Sequence, residues 1–399
     1  MKFNTRLVRY DQCPGDPFRP VATPIYQTAT FEQKSATEFG EYDYSRSGNP
    51  TRSVLERQLA ELENARRAFA FSSGMAAISA ITRLLQPGDE ILAGGDLYGG
   101  AYRLFSKILK HSGIEVRYTR GPSVDDFRDQ LTRRTRLVHC ETPGNPLLSI
   151  TSISELAELA HSAGALLSVD NSMMSPCLQN PLDHGADVVV HSATKFLCGH
   201  SDVTAGVIAA NSQELAERLY FVQNGEGTAL GPFDSFLLLR GLKTLSLRID
   251  RQQENAARII EFLRQHPAVK RVFYPGLDDR NSHAIHGSQA RGGGSIIAFE
   301  TGSCELSRRV VEGTRIFAIT VSFGSVNSSI SLPHCMSHAS VPPHIRDLCR
   351  FPQDLVRLSI GIEDPDDLVA DLEQAFSGAV EAEKAGASAS AALQQNPLQ

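Results

Sequence analysis

The stretch that decides the fold is Asp187-Val188-Val189-Val190-His191-Ser192-Ala193-Thr194-Lys195. Three consecutive valines suit a strand covered on both faces, as in a parallel sheet flanked by helices. The lysine follows at the strand's C-terminal side, where open α/β sheets hold their ligands. Working outward, the apolar runs 68–71, 90–93, 115–118, 136–140 and 165–169 repeat the strand pattern. Amphipathic stretches lie between several of them, such as 154–163, entered by a capping box at Ser152 and Glu155. Strands alternating with helices predict βαβ units and a mostly parallel, doubly wound sheet.

Beyond this block the pattern changes. Residues 1–43 read as irregular, because Pro14, Pro17, Pro20 and Pro24 follow one another too closely for helix or central strand. Leu55, Leu59 and Leu62 predict a helix over 51–65. Residues 230–265 read as one long helical tract bent near Gly241, leading into a smaller α/β C-terminal domain. That domain has strand candidates at 272–274, 295–300, 317–320 and 355–360, and a last helix starting at Asp364 and Pro365. The expected division is an N-terminal arm over 1–45, a cofactor domain over 46–240, a C-terminal domain over 241–378 and a disordered tail over 379–399.

At 399 residues, with 41% hydrophobic and 21% charged residues, the chain can bury a full core, which excludes wholesale disorder. A net charge of −6 with no basic block gives nucleic acid no electrostatic footprint. No apolar run approaches the roughly 20 residues that span a bilayer, so no membrane partner is expected. The thiols Cys13, Cys140, Cys177, Cys198, Cys304, Cys335 and Cys349 are odd in number and never form a CxxC pair. They point to a reducing compartment. With no apolar signal region over 1–18 and no plastid transit segment in view, a cytoplasmic location is expected. His334, Cys335 and His338, or His283 and His286, lack four-ligand metal spacing, so no metal is expected. Gly292-Gly293-Gly294 precedes a strand rather than opening a helix, and fails as a dinucleotide loop.

Three expected strand ends carry chemistry: Asp170 after 166–169, the segment His191 to Lys195 after 188–190, and Ser72-Ser73-Gly74-Met75 at a strand-to-helix turn. A lysine, an acid and a helix N-terminus with hydroxyls beside it match what pyridoxal phosphate requires. These are an amine for the Schiff base, a partner for the ring nitrogen and a cradle for the dianion. Lys195, Asp170, and Ser73 to Met75 with Ser192 and Thr194 supply them.

Several segments then resemble one family in order along the chain. They are Tyr44-Ser45-Arg46-Ser47-Gly48-Asn49-Pro50-Thr51, Val169-Asp170-Asn171-Ser172, Ser192-Ala193-Thr194-Lys195-Phe196 and Gly199-His200-Ser201-Asp202. Together they resemble the pyridoxal-phosphate-dependent transsulfuration enzymes of Cys/Met metabolism, over about residues 21–376. Within that family, Phe221-Val222-Gln223-Asn224, Arg251-Gln252-Gln253-Glu254-Asn255 and Ser322-Phe323-Gly324-Ser325-Val326 are most similar to the plant-type cystathionine β-lyases.

The resemblance implies a type I, aspartate-aminotransferase-like fold and a carbon–sulfur lyase acting on an amino-acid thioether. Cystathionine would give homocysteine, pyruvate and ammonia. It implies Lys195 as the Schiff-base lysine, Asp170 on the pyridinium, Tyr98 stacked on the ring, and Ser73, Gly74, Met75, Ser192 and Thr194 on the phosphate. Lys195 and Tyr98 would be the catalytic pair, and Arg357 would grip the substrate carboxylate with Asn145 and Ser322 nearby. Tyr44 and Arg46 would reach the phosphate of a neighbouring subunit in a homo-oligomer, expected to be a tetramer built as a dimer of dimers. Asn327 departs both from the acidic residue of many γ-acting relatives and from the lysine of plant-type β-lyases, and Ser329 replaces a usual leucine. A γ-acting relative and a cysteine-conjugate lyase therefore stand as alternatives, with a non-catalytic cofactor-binding protein more remote.

Overall fold

The computed structural model describes residues 1–9, 16–277, 280–337 and 352–394; Cys13, His338 and Cys349 lie outside them. Seven strands build the larger sheet: β1 Arg67–Phe71, β2 Glu90–Ala93, β3 Glu115–Tyr118, β4 Thr135–Glu141, β5 Leu166–Asp170, β6 Val188–Ser192 and β7 Gly206–Ala210. Their order is β1-β7-β6-β5-β4-β2-β3. Neighbours from β6 to β3 run parallel, whereas β7 is antiparallel to both β6 and β1. The first six coincide with the runs read from sequence. β7 went unread because Gly206 and its two alanines, Ala209 and Ala210, resemble a turn flank more than a strand.

Apolar side chains on both faces explain why the sheet holds. Phe69, Phe71, Ile78, Ile81, Val188 and Val190 are buried on one face, while Leu92, Val138, Leu167 and Val169 are buried on the other. Burying a side chain of this size contributes about 1.5–3 kcal/mol against leaving it exposed. The helix Gly74–Thr82 lies over the first face, and Ile153–Ser162 lies over the second. The latter is capped by Ser152 Oγ, which accepts the Glu155 N–H at 3.4 Å.

A second sheet of five strands has the order β10-β11-β12-β9-β8. Its members are β8 Arg271–Phe273, β9 Ile296–Glu300, β10 Ala318–Ile319, β11 Ser329–Ser331 and β12 Val356–Ser359. Only β10 and β11 pair in parallel. β11 is a polar triplet, Ser-Ile-Ser, and gives no period-two signal long enough to read.

Three expectations are corrected. The long helical tract is two helices, Pro232–Leu242 and Leu245–Gln265, broken at Lys243 and Thr244 rather than bent at Gly241. The buried Arg248 stabilises the break, donating from Nη2 to Gly241 O at 3.0 Å and so capping the first helix. Within the irregular N-terminal region, Phe3–Val8 forms a short helix that buries Leu7. The last helix runs Pro365–Gln394, past the point where a tail was expected.

Among the described residues no helix is long and apolar enough to cross a membrane. Among those residues the thiols are free, and burial pushes Cys177 and Cys198 up to about 12, which leaves them poorly reactive.

Candidate functional site

A cavity of about 410 Å³ opens where β4, β5 and β6 end, and the second sheet closes it. Its lining joins Ser73, Gly74, Met75, Tyr98, Asn145, Asp170, Ser192, Thr194, Lys195, Ser322 and Arg357, all expected site residues. Tyr44 and Arg46 are elsewhere. The Arg46 guanidinium lies 5.2 Å from the centre of the Tyr44 ring, and its Nε donates to Asn224 Oδ1 at 3.3 Å.

The cradle wall comes from the larger sheet. Ser73 Oγ accepts the Ala76 N–H at 3.1 Å, so this hydroxyl caps the helix Gly74–Thr82. The N–H groups of Gly74 and Met75 start that helix and have no acceptor within it, which makes them available to an anion. A Cβ on Gly74 would lie 2.9 Å from Ser192 Cβ and 3.0 Å from its Cα. Only glycine lets the two segments meet. Ser192 N–H donates to Ser172 Oγ at 2.7 Å, and Thr194 Oγ1 accepts the Ala205 N–H at 3.0 Å. Asp170 accepts the Ser172 N–H at 2.9 Å, which fixes the acid at the cavity floor.

Lys195 leaves the end of β6 in a tight turn, with its N–H bonded to Ser192 O at 3.1 Å. Arg248 holds the far side of this turn through Phe196 O at 2.8 Å. The Lys195 amine donates to Ser322 Oγ at 2.5 Å and lies 4.8 Å from the centre of the Phe323 ring. Burial and then the nearby Arg357 charge lower its pKa to about 8, and Asp170 opposes them. An amine whose neutral form is this accessible, compared with an ordinary lysine, can both attack a carbonyl and carry a proton.

The opposite wall comes from β12 and two loops. Arg357 is 3% exposed; it donates from Nη1 to Asn145 Oδ1 at 3.0 Å and from Nη2 to Ser322 O at 2.8 Å. Burial lowers its pKa to about 10. Ser322 has φ +89, an uncommon conformation for a residue with a side chain. That backbone presents its hydroxyl to Lys195 and its carbonyl to Arg357 at once.

Among the lining residues that the sequence did not single out as site residues, Glu141 and Phe323 stand closest to the chemistry. Glu141 closes β4 as Asp170 closes β5, so the same signal, a carboxylate ending an apolar strand, could have found it. Phe323 lies beneath both cations, 5.3 Å from the Arg357 guanidinium. Its one signal was position next to Ser322. Elsewhere, His286 Nε2 lies 2.9 Å from Gly292 O and His283 Nδ1 lies 3.1 Å from Gly276 O, so both imidazoles serve the backbone.

The lining residues fit pyridoxal phosphate. The glycine cradle at a helix start suits its phosphate, the buried amine its carbonyl and the floor carboxylate its ring nitrogen.

Comparison with known proteins agrees. The family described as Cys/Met metabolism PLP-dependent enzyme matches residues 4–377. The chain is 53% identical to a chloroplastic cystathionine beta-lyase of Arabidopsis thaliana, over 94% of this chain and 80% of that one. It is also 53% identical to the chloroplastic cystathionine beta-lyase of Mimosa pudica, over 91% and 79%. A cystathionine gamma synthase structure from Xanthomonas oryzae pv. oryzae superposes with TM-score 0.92 at 39% identity, covering 96% of this chain and 99% of that one. The two plant relatives overturn the cytoplasmic expectation, since both are chloroplastic by name. Free thiols report a reducing environment, and that does not separate one reducing compartment from another.

Proposed function

Because the chain belongs to the Cys/Met metabolism PLP-dependent enzymes, we propose that it is a carbon–sulfur lyase that cleaves L-cystathionine at Cβ. One water is consumed, and homocysteine, pyruvate and ammonia are released. Its high identity to cystathionine beta-lyases over nearly the whole chain carries this reading. The reaction belongs to amino-acid metabolism, and its place there is the step that yields homocysteine for methionine synthesis.

Bound pyridoxal phosphate supplies the electron sink that lets a proton leave Cα and a thiolate leave Cβ. Lys195 takes the Cα proton at Nζ and returns protons to leaving groups, a role that its lowered pKa of about 8 favours. Asp170 keeps the ring nitrogen protonated. Tyr98 covers the ring, while Ser73, Gly74, Met75, Ser192 and Thr194 hold the phosphate. Arg357 binds the substrate α-carboxylate in its planar fork, oriented by Asn145 and the Ser322 carbonyl. Phe323 keeps water from the two cations that it underlies.

Tyr44 and Arg46, remote from their own chain's cavity, serve the cavity of a neighbouring subunit. The working unit is then at least a dimer, and a dimer of dimers is the proposed assembly. In domain terms the arm is 1–45, the cofactor domain 46–240 and the C-terminal domain 241–378.

A γ-acting reading has the likeness to the Xanthomonas synthase in its favour. The two readings give different products. Pyruvate with homocysteine from cofactor-loaded protein and L-cystathionine is the expected result; 2-oxobutyrate with cysteine would replace β-cleavage by γ-cleavage.

A further inference from the structure

Glu141 has no part in the chemistry above, yet it lines the cavity. Glu141 and Asp170 are register partners across the parallel pair β4 and β5, so their carboxyls leave adjacent strand ends on one face. Glu141 Oε1 accepts the Tyr98 N–H at 2.6 Å, a short bond from one side of the cavity to the loop that follows β2. Tyr98 stands at the start of the short helix Gly99–Arg103 and is 38% exposed. Its ring occupies a slot that Gly100 leaves open, since a Cβ there would strike the Tyr98 ring and come within 2.9 Å of Met75 Sδ.

We propose that Glu141 is the positioning residue for Tyr98, anchoring its backbone so that the aromatic ring is presented over the cofactor site at a fixed height. This inference rests on the reading of Tyr98 as the ring cover. Two adjacent carboxyls at one buried site do not both ionise cheaply. Burial and then the Asp170 charge raise Glu141 well above the usual carboxylate range, against the opposing Tyr98 N–H. Glu141 therefore acts as a neutral acceptor beside Asp170. A second tie holds the same loop. Asp96, two residues before Tyr98, accepts the Ser149 hydroxyl at 2.7 Å and so joins the Tyr98 loop to the loop carrying Asn145.

The test uses apoprotein and measures the dissociation constant of pyridoxal phosphate by equilibrium dialysis, with KM and kcat of the reloaded enzyme alongside. Tyr98→Ala should weaken cofactor binding about tenfold, the worth of one aromatic stack. Glu141→Ala should weaken it by a similar factor, and Glu141→Met, which fills the volume without an acceptor, should do the same. Glu141→Gln, which keeps a neutral acceptor oxygen, should stay within about twofold of wild type. Tyr98→Ala/Glu141→Ala should bind within about twofold of Tyr98→Ala alone, because both changes remove one interaction. Fully additive losses in the double variant, or a Gln variant as weak as Met, would overturn the anchoring role and leave Tyr98 in place. Wild-type affinity in Tyr98→Ala would overturn the ring-cover reading itself, and the anchor with it.

Discussion

The two walls of the cavity are built in different ways. The cradle wall belongs to the larger sheet: Gly74, Ser192 and Lys195 lie at or just beyond strand ends, with Ser192 and Lys195 tied through their main-chain N–H groups, and no Cβ fits between Gly74 and Ser192. The substrate wall is assembled from chain-distant pieces, Asn145, Ser322 and Arg357, joined by side-chain hydrogen bonds and supported by one strained residue. The first arrangement holds a constant ligand. The second can change its preference through one loop or one strand while the fold stays intact, which suits a family whose members cleave at different carbons.

If that division is real, damage should be separable. Arg357→Leu should raise KM for cystathionine on the order of 10²-fold, since it removes the buried guanidinium that faces the substrate carboxylate and breaks its hydrogen bond to Asn145. The dissociation constant for pyridoxal phosphate should hardly move. Steady-state kinetics beside equilibrium dialysis checks both halves; an unchanged KM would remove Arg357 from the substrate wall.

Gly74→Ala is the mirror experiment, with a smaller expected effect. Forcing a methyl against Ser192 costs about 1–3 kcal/mol, so cofactor binding should weaken by roughly tenfold or somewhat more, while KM at saturating cofactor stays near wild type. A rise in KM with no loss of cofactor affinity would erase the distinction between the walls.

The same contrast explains what the sequence revealed. The cradle wall was legible because its parts lie within single strand-and-turn segments: three valines and then a lysine, or a carboxylate closing 166–170. The first six strands of the larger sheet were readable for the same reason, as runs apolar on both faces. β7 and β11 were not, one being rich in small residues and the other three residues long, and both owe their state to neighbours already in place. Local pattern likewise could not show that Glu141 meets Tyr98 or that Phe323 lies under two cations, because those contacts exist only after the loops pack. Arg357 was found through resemblance. Its partners Asn145 and Ser322 came the same way, because nothing local marks them.

The smallest expected effect joins the two walls. Lys195 belongs to the cradle wall, yet the charge that helps to lower its pKa to about 8 is that of Arg357 on the other wall. A lowered lysine pKa means that the neutral, attacking amine gains population as pH rises through about 8, whereas an ordinary lysine would need a pH above about 10. The rate at which apoprotein takes up pyridoxal phosphate should therefore climb with pH to a plateau, with its midpoint near 8. In Arg357→Leu that midpoint should move upward, because a positive neighbour has gone while the Asp170 carboxylate still favours the charged amine. Stopped-flow uptake, followed by the cofactor's own absorbance, reads both limbs. Burial, the larger cause, persists in the variant, so the shift should be a fraction of the whole displacement from the ordinary lysine value. Identical midpoints in the two proteins would mean that the walls do not communicate through charge, and that desolvation alone prepares Lys195.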